Sequence, residues 1–168
     1  MALGLILALL LILPAFLGER LQIERSTFVS ASPEKIFAYI EDLNNFKTWN
    51  PFLEAEPQAQ VMVLGSGVGS TYSWEGEKVG KGIMTVSSIE QDKKIEIAMA
   101  FIAPVEGKAD VIWEITPESN GANVTWAMTQ DYSYFRRYFK LVMPSMMNAA
   151  FDSGLLKLKK QLEEEGPQ

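Results

Sequence analysis

Apolar and polar residues alternate along much of the chain after residue 20, a pattern that is typical of β-strands with one buried face. The alternation is clearest over residues 93–102, and residues 108–116 repeat it. Further strands are predicted over residues 21–31, 58–64, 70–75, 78–90 and 123–130. The dipeptide Asn120-Gly121 separates the last two strands and strongly indicates a hairpin. The pattern therefore predicts seven strands.

The apolar spacing becomes helical after the first strand. Residues 36–43 carry an apolar stripe at a spacing of three to four residues. Ser32 is a suitable N-cap for this helix, and Pro33 is tolerated in its first turn because that N–H has no intrahelical partner. A second short helix is expected to end at Asn50-Pro51, since a residue before proline avoids the helical region.

A much longer helical stretch covers residues 134–164, where apolar side chains recur at a spacing close to 3.6. Pro144 lies inside this stretch and predicts a kink or a break near Leu141. The predicted order is one strand, two short helices, six strands and a long helix. This order indicates an α+β fold with a curved antiparallel sheet.

The first 17 residues contain no charged side chain. As a helix they would span about 26 Å, close to the roughly 30 Å hydrocarbon core of a bilayer. We interpret residues 1–18 as an apolar N-terminal helix that serves as a single-pass transmembrane anchor or a signal segment, and residues 19–168 as the globular domain. A cleaved signal peptide is the alternative, although a basic n-region and a small-x-small cleavage site are both missing. Charges of both signs follow over residues 19–25, so the side of the membrane stays open.

Composition removes several kinds of chemistry. The chain has no cysteine and no histidine, which excludes thiolate nucleophiles, disulfides, and metal sites built on cysteine or histidine. The usual general base near neutral pH is also missing. The formal net charge of -6 disfavours binding to nucleic acid, which requires a basic surface. We therefore expect no nucleic-acid partner, no metal and no cofactor, and the sequence does not indicate an oligomeric state.

Few polar residues stand out as candidates for chemistry. Glu75 and Glu77 flank a predicted hairpin tip, so we expect both to be solvated. Asp131 precedes the long helix and is a possible cap for it. Tyr132 and Tyr134 are possible phenol donors, but the pattern does not fix their directions. No catalytic residue can be assigned.

Residues 27–57 read TFVSASPEKIFAYIEDLNNFKTWNPFLEAEP. This stretch resembles the opening of the SRPBCC superfamily, the START-like helix-grip proteins, in its polyketide cyclase/dehydrase-like branch. Weaker similarities follow in order at residues 67–74, 79–84, 123–126 and 151–155. The resemblance covers roughly residues 21–164. It implies a helix-grip fold, in which two small N-terminal helices, a curved seven-stranded sheet and a long C-terminal helix enclose an apolar cavity.

Inward-facing strand residues and the apolar face of the last helix would line such a cavity. The residues expected to contact a ligand are Tyr72, Trp74, Met84, Met99, Phe101, Trp113, Trp126, Met128, Phe139, Met143, Met147 and Phe151, with Met146 beside them. Methionine is flexible and polarisable, so a wall rich in it can adapt to different apolar ligands. Each residue can also be interpreted as ordinary core. The break near Pro144 would lie over the mouth of the cavity.

These features favour membrane-tethered binding of a hydrophobic small molecule, either a lipid or a polyketide-like compound. The alternative is an enzyme similar to polyketide cyclases and aromatases, in which the shape of the cavity positions a reactive chain. A third interpretation is an envelope-stress or chaperone-like interaction module. The lack of an evident acid–base group favours binding without catalysis.

Overall fold

A computed structural model describes residues 11–164 of the chain. The strands are β1 Arg20–Val29, β2 Gln60–Leu64, β3 Thr71–Gly76, β4 Gly80–Glu90, β5 Lys94–Ala103, β6 Gly107–Glu118 and β7 Gly121–Asp131. The α-helices are α1 Pro33–Glu41, α2 Leu43–Trp49 and α3 Met143–Glu164. Two 3-10 helices lie at Pro51–Glu54 and Tyr134–Leu141.

The strands form one curved antiparallel sheet in the order β1-β7-β6-β5-β4-β3-β2. All its neighbours are consecutive in the chain except β1, which pairs with β7 along its whole length. The ring of Trp126 on β7 stacks on Phe151 of α3 at a centroid distance of 4.1 Å, so the long helix packs against the inner face of the sheet. The predicted α+β helix-grip architecture is confirmed.

Antiparallel pairing sorts the turns of the sheet between two opposite ends. What we call the upper end carries the start of β1, the turns at residues 76–80 and 103–107, and the end of β7. The lower end carries the turns at residues 64–70, 90–94 and 118–121. The 3-10 helix Tyr134–Leu141 directly follows β7 and therefore lies at the upper end.

The first two helices begin and end as their sequence predicts. The Ser32 hydroxyl accepts a hydrogen bond from the backbone N–H of Lys35 at 3.3 Å, and Pro33 occupies the first turn of α1. Asn50 ends α2 and caps the next 3-10 helix, because its side-chain oxygen accepts the N–H of Phe52 at 3.0 Å. These caps turn the chain back towards the sheet and bring α2 onto the core.

The predicted break in the last helix is confirmed, but Pro144 does not interrupt a helix. The chain forms the 3-10 helix Tyr134–Leu141, passes through Val142, and only then begins α3 at Met143. Pro144 thus lies in the first turn of α3, where its missing N–H leaves no helical hydrogen bond unmade. The expectation that Pro144 lies in a helix interior is therefore wrong.

The apolar stripe of this region is buried only in its second half. From Phe151 to Leu162 the stripe residues pack in the core. Before that point Phe135 is 64% exposed and Met146 is 66% exposed. The sequence pattern did not distinguish these two halves, because both have helical spacing.

The predicted N-terminal apolar helix lies largely outside the described residues. Residues 11–16 are helical and lead through Gly18 into β1. Among residues 11–164, no helix has both the length and the hydropathy needed to cross a bilayer.

Candidate functional site

Aromatic rings fill the centre of the inner face. Phe46 and Trp49 of α2 contact Trp113 and Trp126 of the sheet, and Phe151 of α3 completes the cluster. Neighbouring ring centroids lie between 4.1 and 6.2 Å apart, which are the distances of packed aromatic pairs. This aromatic cluster is core, and a ligand could enter it only by displacing packed rings.

Half of the predicted ligand-contacting residues lie in this buried region. They are Tyr72, Met84, Trp113, Trp126, Met128 and Phe151. The indole N–H groups of Trp49, Trp113 and Trp126 are buried without an acceptor among the described residues. An unpaired buried donor is costly, so these groups favour any acceptor that reaches the cluster.

Towards the upper end the inner face is only partly covered. Directly paired residues form a row across β3 to β6 that reads Trp74, Gly82, Phe101 and Gly107. Trp74 and Phe101 are half-buried, and their rings meet edge to face at a centroid distance of 6.1 Å. Aromatic and glycine residues alternate along this row, which leaves room for each ring beside its neighbours.

Gly82 determines how close the Trp74 ring lies to the sheet. A Cβ atom on Gly82 would overlap the indole ring of Trp74, whereas one on Gly107 would make an ordinary contact of 3.7 Å with the ring of Phe101. The indole N–H of Trp74 also donates to the carbonyl of Val79 at 3.2 Å. The rings therefore form an apolar floor directly on the sheet, and a side chain at position 82 would displace the Trp74 ring.

Met99 extends this region. It lies one row below the floor, paired with Met84 and Ala109. Met143 and Met147, at the start of α3, are half-buried against the core. Because α3 packs mainly on β1, the upper inner face of β3 to β5 stays partly open. We call this region the upper groove and define it by Trp74, Gly82, Met99, Phe101 and Gly107.

Gln130 and Tyr132 bring polar groups to the groove. The Tyr132 hydroxyl donates to the side-chain oxygen of Gln130 at 3.0 Å, and the Gln130 amide nitrogen lies near Gly107. Burial raises the pKa of Tyr132, so its hydroxyl stays protonated. The sequence analysis missed Gln130, although the alternation of β7 extends beyond Met128 to both residues. Phe139, another predicted contact, has its ring 6.4 Å from that of Tyr132 but is 48% exposed.

The buried carboxylate of Glu56 was also missed. It accepts the backbone N–H groups of Glu77, Lys78 and Val79 at 2.8–3.0 Å. These hydrogen bonds, led by that from Val79, lower the pKa of Glu56. Because the Val79 carbonyl accepts the indole N–H of Trp74, Glu56 fixes the turn that holds the groove floor.

The remaining polar candidates lie on the surface. Glu75 and Glu77 are exposed as expected, and Glu75 pairs with Lys81 at 2.7 Å. Asp131 does not cap the following helix. It forms an ion pair with Arg20 across the β1–β7 pairing at 3.0 Å, because the extended backbone of β7 continues as far as Asp131.

A separate cleft of about 570 Å³ lies between α2, β2 and α3. Its rim includes Lys47 and the ion pair of Lys157 with Glu54. Asn50 lies at its base and donates to the hydroxyl of Tyr72 at 3.1 Å. The charged rim makes this wide cleft less suited to an apolar ligand than the upper groove.

Several solved structures share this fold. The Aha1 dimer from Colwellia psychrerythraea is 19% identical with a TM-score of 0.64, and the match covers 88% of this chain and 99% of that chain. A Chromobacterium violaceum protein is 17% identical with a TM-score of 0.63, covering 88% and 98% of the two chains. The di-domain ARO/CYC StfQ from the steffimycin biosynthetic pathway is 12% identical with a TM-score of 0.65, covering 88% of this chain and 52% of that one. At such identities the likeness shows the fold alone.

No curated protein matches the chain. Residues 20–163 match the family described as polyketide cyclase / dehydrase and lipid transport. The match begins at the first residue of β1 and ends one residue before the end of α3, so it spans the whole helix-grip domain. The chain therefore belongs to this polyketide cyclase/dehydrase and lipid-transport family, within the SRPBCC superfamily.

Proposed function

We propose that the protein binds a hydrophobic small molecule, a lipid or a polyketide-like compound, in the upper groove, and that its N-terminal segment holds the domain at a membrane. The observation that carries the proposal is the incompletely buried floor of Trp74 and Phe101. The other three tryptophans of the chain are at most 2% exposed. An aromatic floor left open beside a closed core is apolar surface that a ligand would remove from water.

The lining of the groove suits an apolar chain with an oxygen-bearing group. Small-molecule sites are mostly apolar with a few placed polar groups. Here Met99 supplies an adaptable side chain, and the Gln130–Tyr132 pair supplies the polar groups. The unpaired indole donors of Trp113 and Trp126 lie deeper on the same face and would favour an acceptor oxygen.

Catalysis of the cyclase type is the second candidate. The Gln130–Tyr132 hydrogen bond favours it, because the phenol orients the Gln130 side chain, whose amide N–H group beside Gly107 can polarise a carbonyl. The likeness to an ARO/CYC fold adds support. The residues that define the groove include no carboxylate and no lysine, so binding has the stronger support.

Trp74 can report on ligand binding. We expect a fatty acid brominated along its chain to quench the fluorescence of the parent protein. The quenching should be lost in Trp74→Phe, which keeps the three buried tryptophans and the apolar floor. If Trp74→Phe is quenched as strongly as the parent, the ligand lies among the buried rings and the proposed site is wrong.

The Gly82→Ala variant tests the shape of the floor. Its new methyl group would displace the Trp74 ring, so we expect affinity for the same fatty acid to fall by about tenfold. Ala98→Val is the matched control, since it enlarges an exposed outer-face residue on the neighbouring strand. Equal affinities in all three proteins would contradict the proposal. Conversion of a poly-carbonyl substrate, abolished in Tyr132→Phe, would instead support the cyclase candidate.

A further inference from the structure

Most of the large apolar side chains left exposed by residues 11–164 lie at the upper end. We call them the upper apolar face, and they are Leu11, Ile12, Leu13, Phe16, Ile102, Val105, Tyr134, Phe135, Phe139, Leu141, Val142 and Met146. Hydrogen bonds join the segments that carry them. The Tyr134 hydroxyl donates to the carbonyl of Leu11 at 2.7 Å, and Arg136 donates to the carbonyl of Glu106 at 2.6 Å. An exposed apolar area assembled from three segments is typical of an interaction site.

Basic side chains hold the helix of residues 11–16 in this face. The Lys140 ammonium donates to the carbonyls of Leu17 and Arg20, both at 2.6 Å. Arg137 donates to the carbonyl of Pro14 at 3.4 Å. Cations at the C-terminal carbonyls of a helix satisfy unpaired acceptors and complement the helix dipole. The position of this helix on the domain is therefore set by specific contacts.

The charged side chains between β7 and the buried half of α3 are all basic, whereas Glu19, which pairs with Arg137 at 3.5 Å, and Glu106 lie on the neighbouring segments. Residues 132–151 contain Arg136, Arg137 and Lys140 and no acidic side chain, in a chain of net charge -6. Tyrosine and phenylalanine accompany these cations along the 3-10 helix. Aromatic rings beside basic groups are characteristic of segments at a bilayer interface, and basic groups are attracted to anionic headgroups.

The sequence before the described residues also indicates an apolar partner. Residues 1–10 contain no charged or polar side chain, and the chain continues from them directly into Leu11 on the upper apolar face. A partner for this face must accommodate apolar, aromatic and basic groups together with an adjoining uncharged apolar segment. A lipid bilayer has all of these properties in one surface.

We propose that the upper apolar face docks on an anionic lipid bilayer. The upper groove lies at the same end of the sheet, so docking would place its opening at the membrane surface. Its ligand would then be a membrane lipid, a step that rests on the proposed function. Docking itself does not depend on that function.

Site-specific labels can test docking, because the chain has no native cysteine. Phe135→Cys and Val68→Cys each receive an environment-sensitive fluorophore. The two native side chains are exposed to similar extents, 64% and 63%, but lie at opposite ends of the sheet. The full-length labelled proteins are mixed with vesicles of phosphatidylcholine, with or without phosphatidylglycerol, that carry a quencher on the lipid chains.

We expect the label at position 135 to shift to the blue and be quenched on anionic vesicles, while the label at position 68 behaves as in water. The equilibrium constant for docking should fall roughly fivefold in Arg136→Gln, as expected for one basic group at an anionic surface. An equal response of the two labels, or no response at position 135, overturns the proposal. A blue shift that depends on protein concentration without vesicles also overturns it, since a second copy would then cover the face.

The bilayer experiment and the fatty-acid experiment can fail separately. Quenching of Trp74 by a brominated fatty acid without any docking signal would support ligand binding in the upper groove. It would refute docking of the upper apolar face on a bilayer. Docking without any Trp74 response to the fatty acid would support the interaction surface and refute the proposed ligand binding in the upper groove.

Discussion

Glu56 acts on the candidate site through the turn between β3 and β4. Its carboxylate holds the backbone of that turn, and the turn in turn holds Trp74 through the Val79 carbonyl. Glycine at position 76 permits this contact, because a Cβ atom there would overlap the carboxylate of Glu56. A surface turn thereby becomes a rigid support for an aromatic ring.

This arrangement makes a prediction about pH. The hydrogen bond from Val79, with those from Lys78 and Glu77, lowers the pKa of Glu56 below its ordinary value of 4.5. The resulting stabilisation is fully present above the unfolded-state pKa and is lost as pH falls through the lower folded-state value. We expect Glu56→Gln to lower the melting temperature at neutral pH and to lose less stability than the parent between pH 5 and about pH 3.

Thermal melts across this pH range measure the effect, and the emission of Trp74 reports on the turn. Glu114→Gln, a change of the same kind at an exposed residue on the outer face of β6, is the control. If Glu56→Gln and Glu114→Gln have the same pH profile, the carboxylate of Glu56 does not stabilise the turn.

At the residue scale, strand alternation in the sequence predicted which side chains face the inner side of the sheet. The inward positions of Trp113 and Trp126 followed directly from that period. The contact of Glu56 with a turn some 20 residues later could not be predicted, because no local pattern marks it. Nor could the pattern distinguish buried Trp113 from half-buried Trp74, since both occupy inward positions. They differ in helix coverage, because Phe46 and Trp49 of α2 pack on Trp113.

At the scale of elements, the break between Tyr134–Leu141 and α3 sets the shape of the upper end. Apolar residues spaced by three and four fit either a 3-10 helix or an α-helix, so the sequence predicted one broken helix. The 3-10 helix carries its apolar side chains outward, whereas α3 buries its own from Phe151 onward. The exposed half of the stripe is thus a consequence of where the helix type changes.

The position of Pro144 leads to a prediction for this break. In a helix interior, replacement of proline by alanine would stabilise by about 3 kcal/mol. In the first turn of α3 the proline fits, and it also restricts the unfolded chain. We therefore expect Pro144→Ala to lower the free energy of unfolding by about 0.5–1 kcal/mol. Urea denaturation of Pro144→Ala beside Ser145→Ala measures this, and a clear gain in stability would place Pro144 inside a continuous helix.

At the scale of the whole molecule, the domain has a closely packed core and an upper end where the inner face of the sheet is only partly covered. The aromatic cluster around Trp126 and the β1–β7 pairing join the two ends of the chain into one fold. The upper groove and the upper apolar face both lie at the upper end of the sheet, and α3 packs mainly on β1. This division explains why the sequence could predict the sheet and the order of its helices, but neither the 3-10 helix nor which inward side chains stay incompletely buried. The fold depends on periodicity, whereas the site depends on where coverage of the sheet stops.

The same division predicts that the domain folds without residues 1–18. The core residues lie between Leu21 and Leu162, and β1 begins at Arg20, so a chain that starts at Glu19 keeps every strand. It loses the hydrogen bonds of Lys140 to the carbonyls of Leu17 and Gly18, that of Tyr134 to Leu11 and that of Arg137 to Pro14. Each such hydrogen bond contributes roughly 0.5–1.5 kcal/mol, so we expect cooperative unfolding with stability reduced by at least about 2 kcal/mol.

Lys140→Met, which keeps an apolar stem, separates this contact from the rest of the segment. If Lys140 is the main link, the double variant should cost less than the sum of truncation at residue 19 and Lys140→Met. Lys140→Met should still destabilise the truncated chain, because it also removes the hydrogen bond to the Arg20 carbonyl. Urea unfolding followed by near-ultraviolet circular dichroism measures all four proteins. Strict additivity would show that the truncated segment stabilises the domain through other contacts, and loss of cooperative unfolding in the truncated chain would show that the domain extends into residues 1–18.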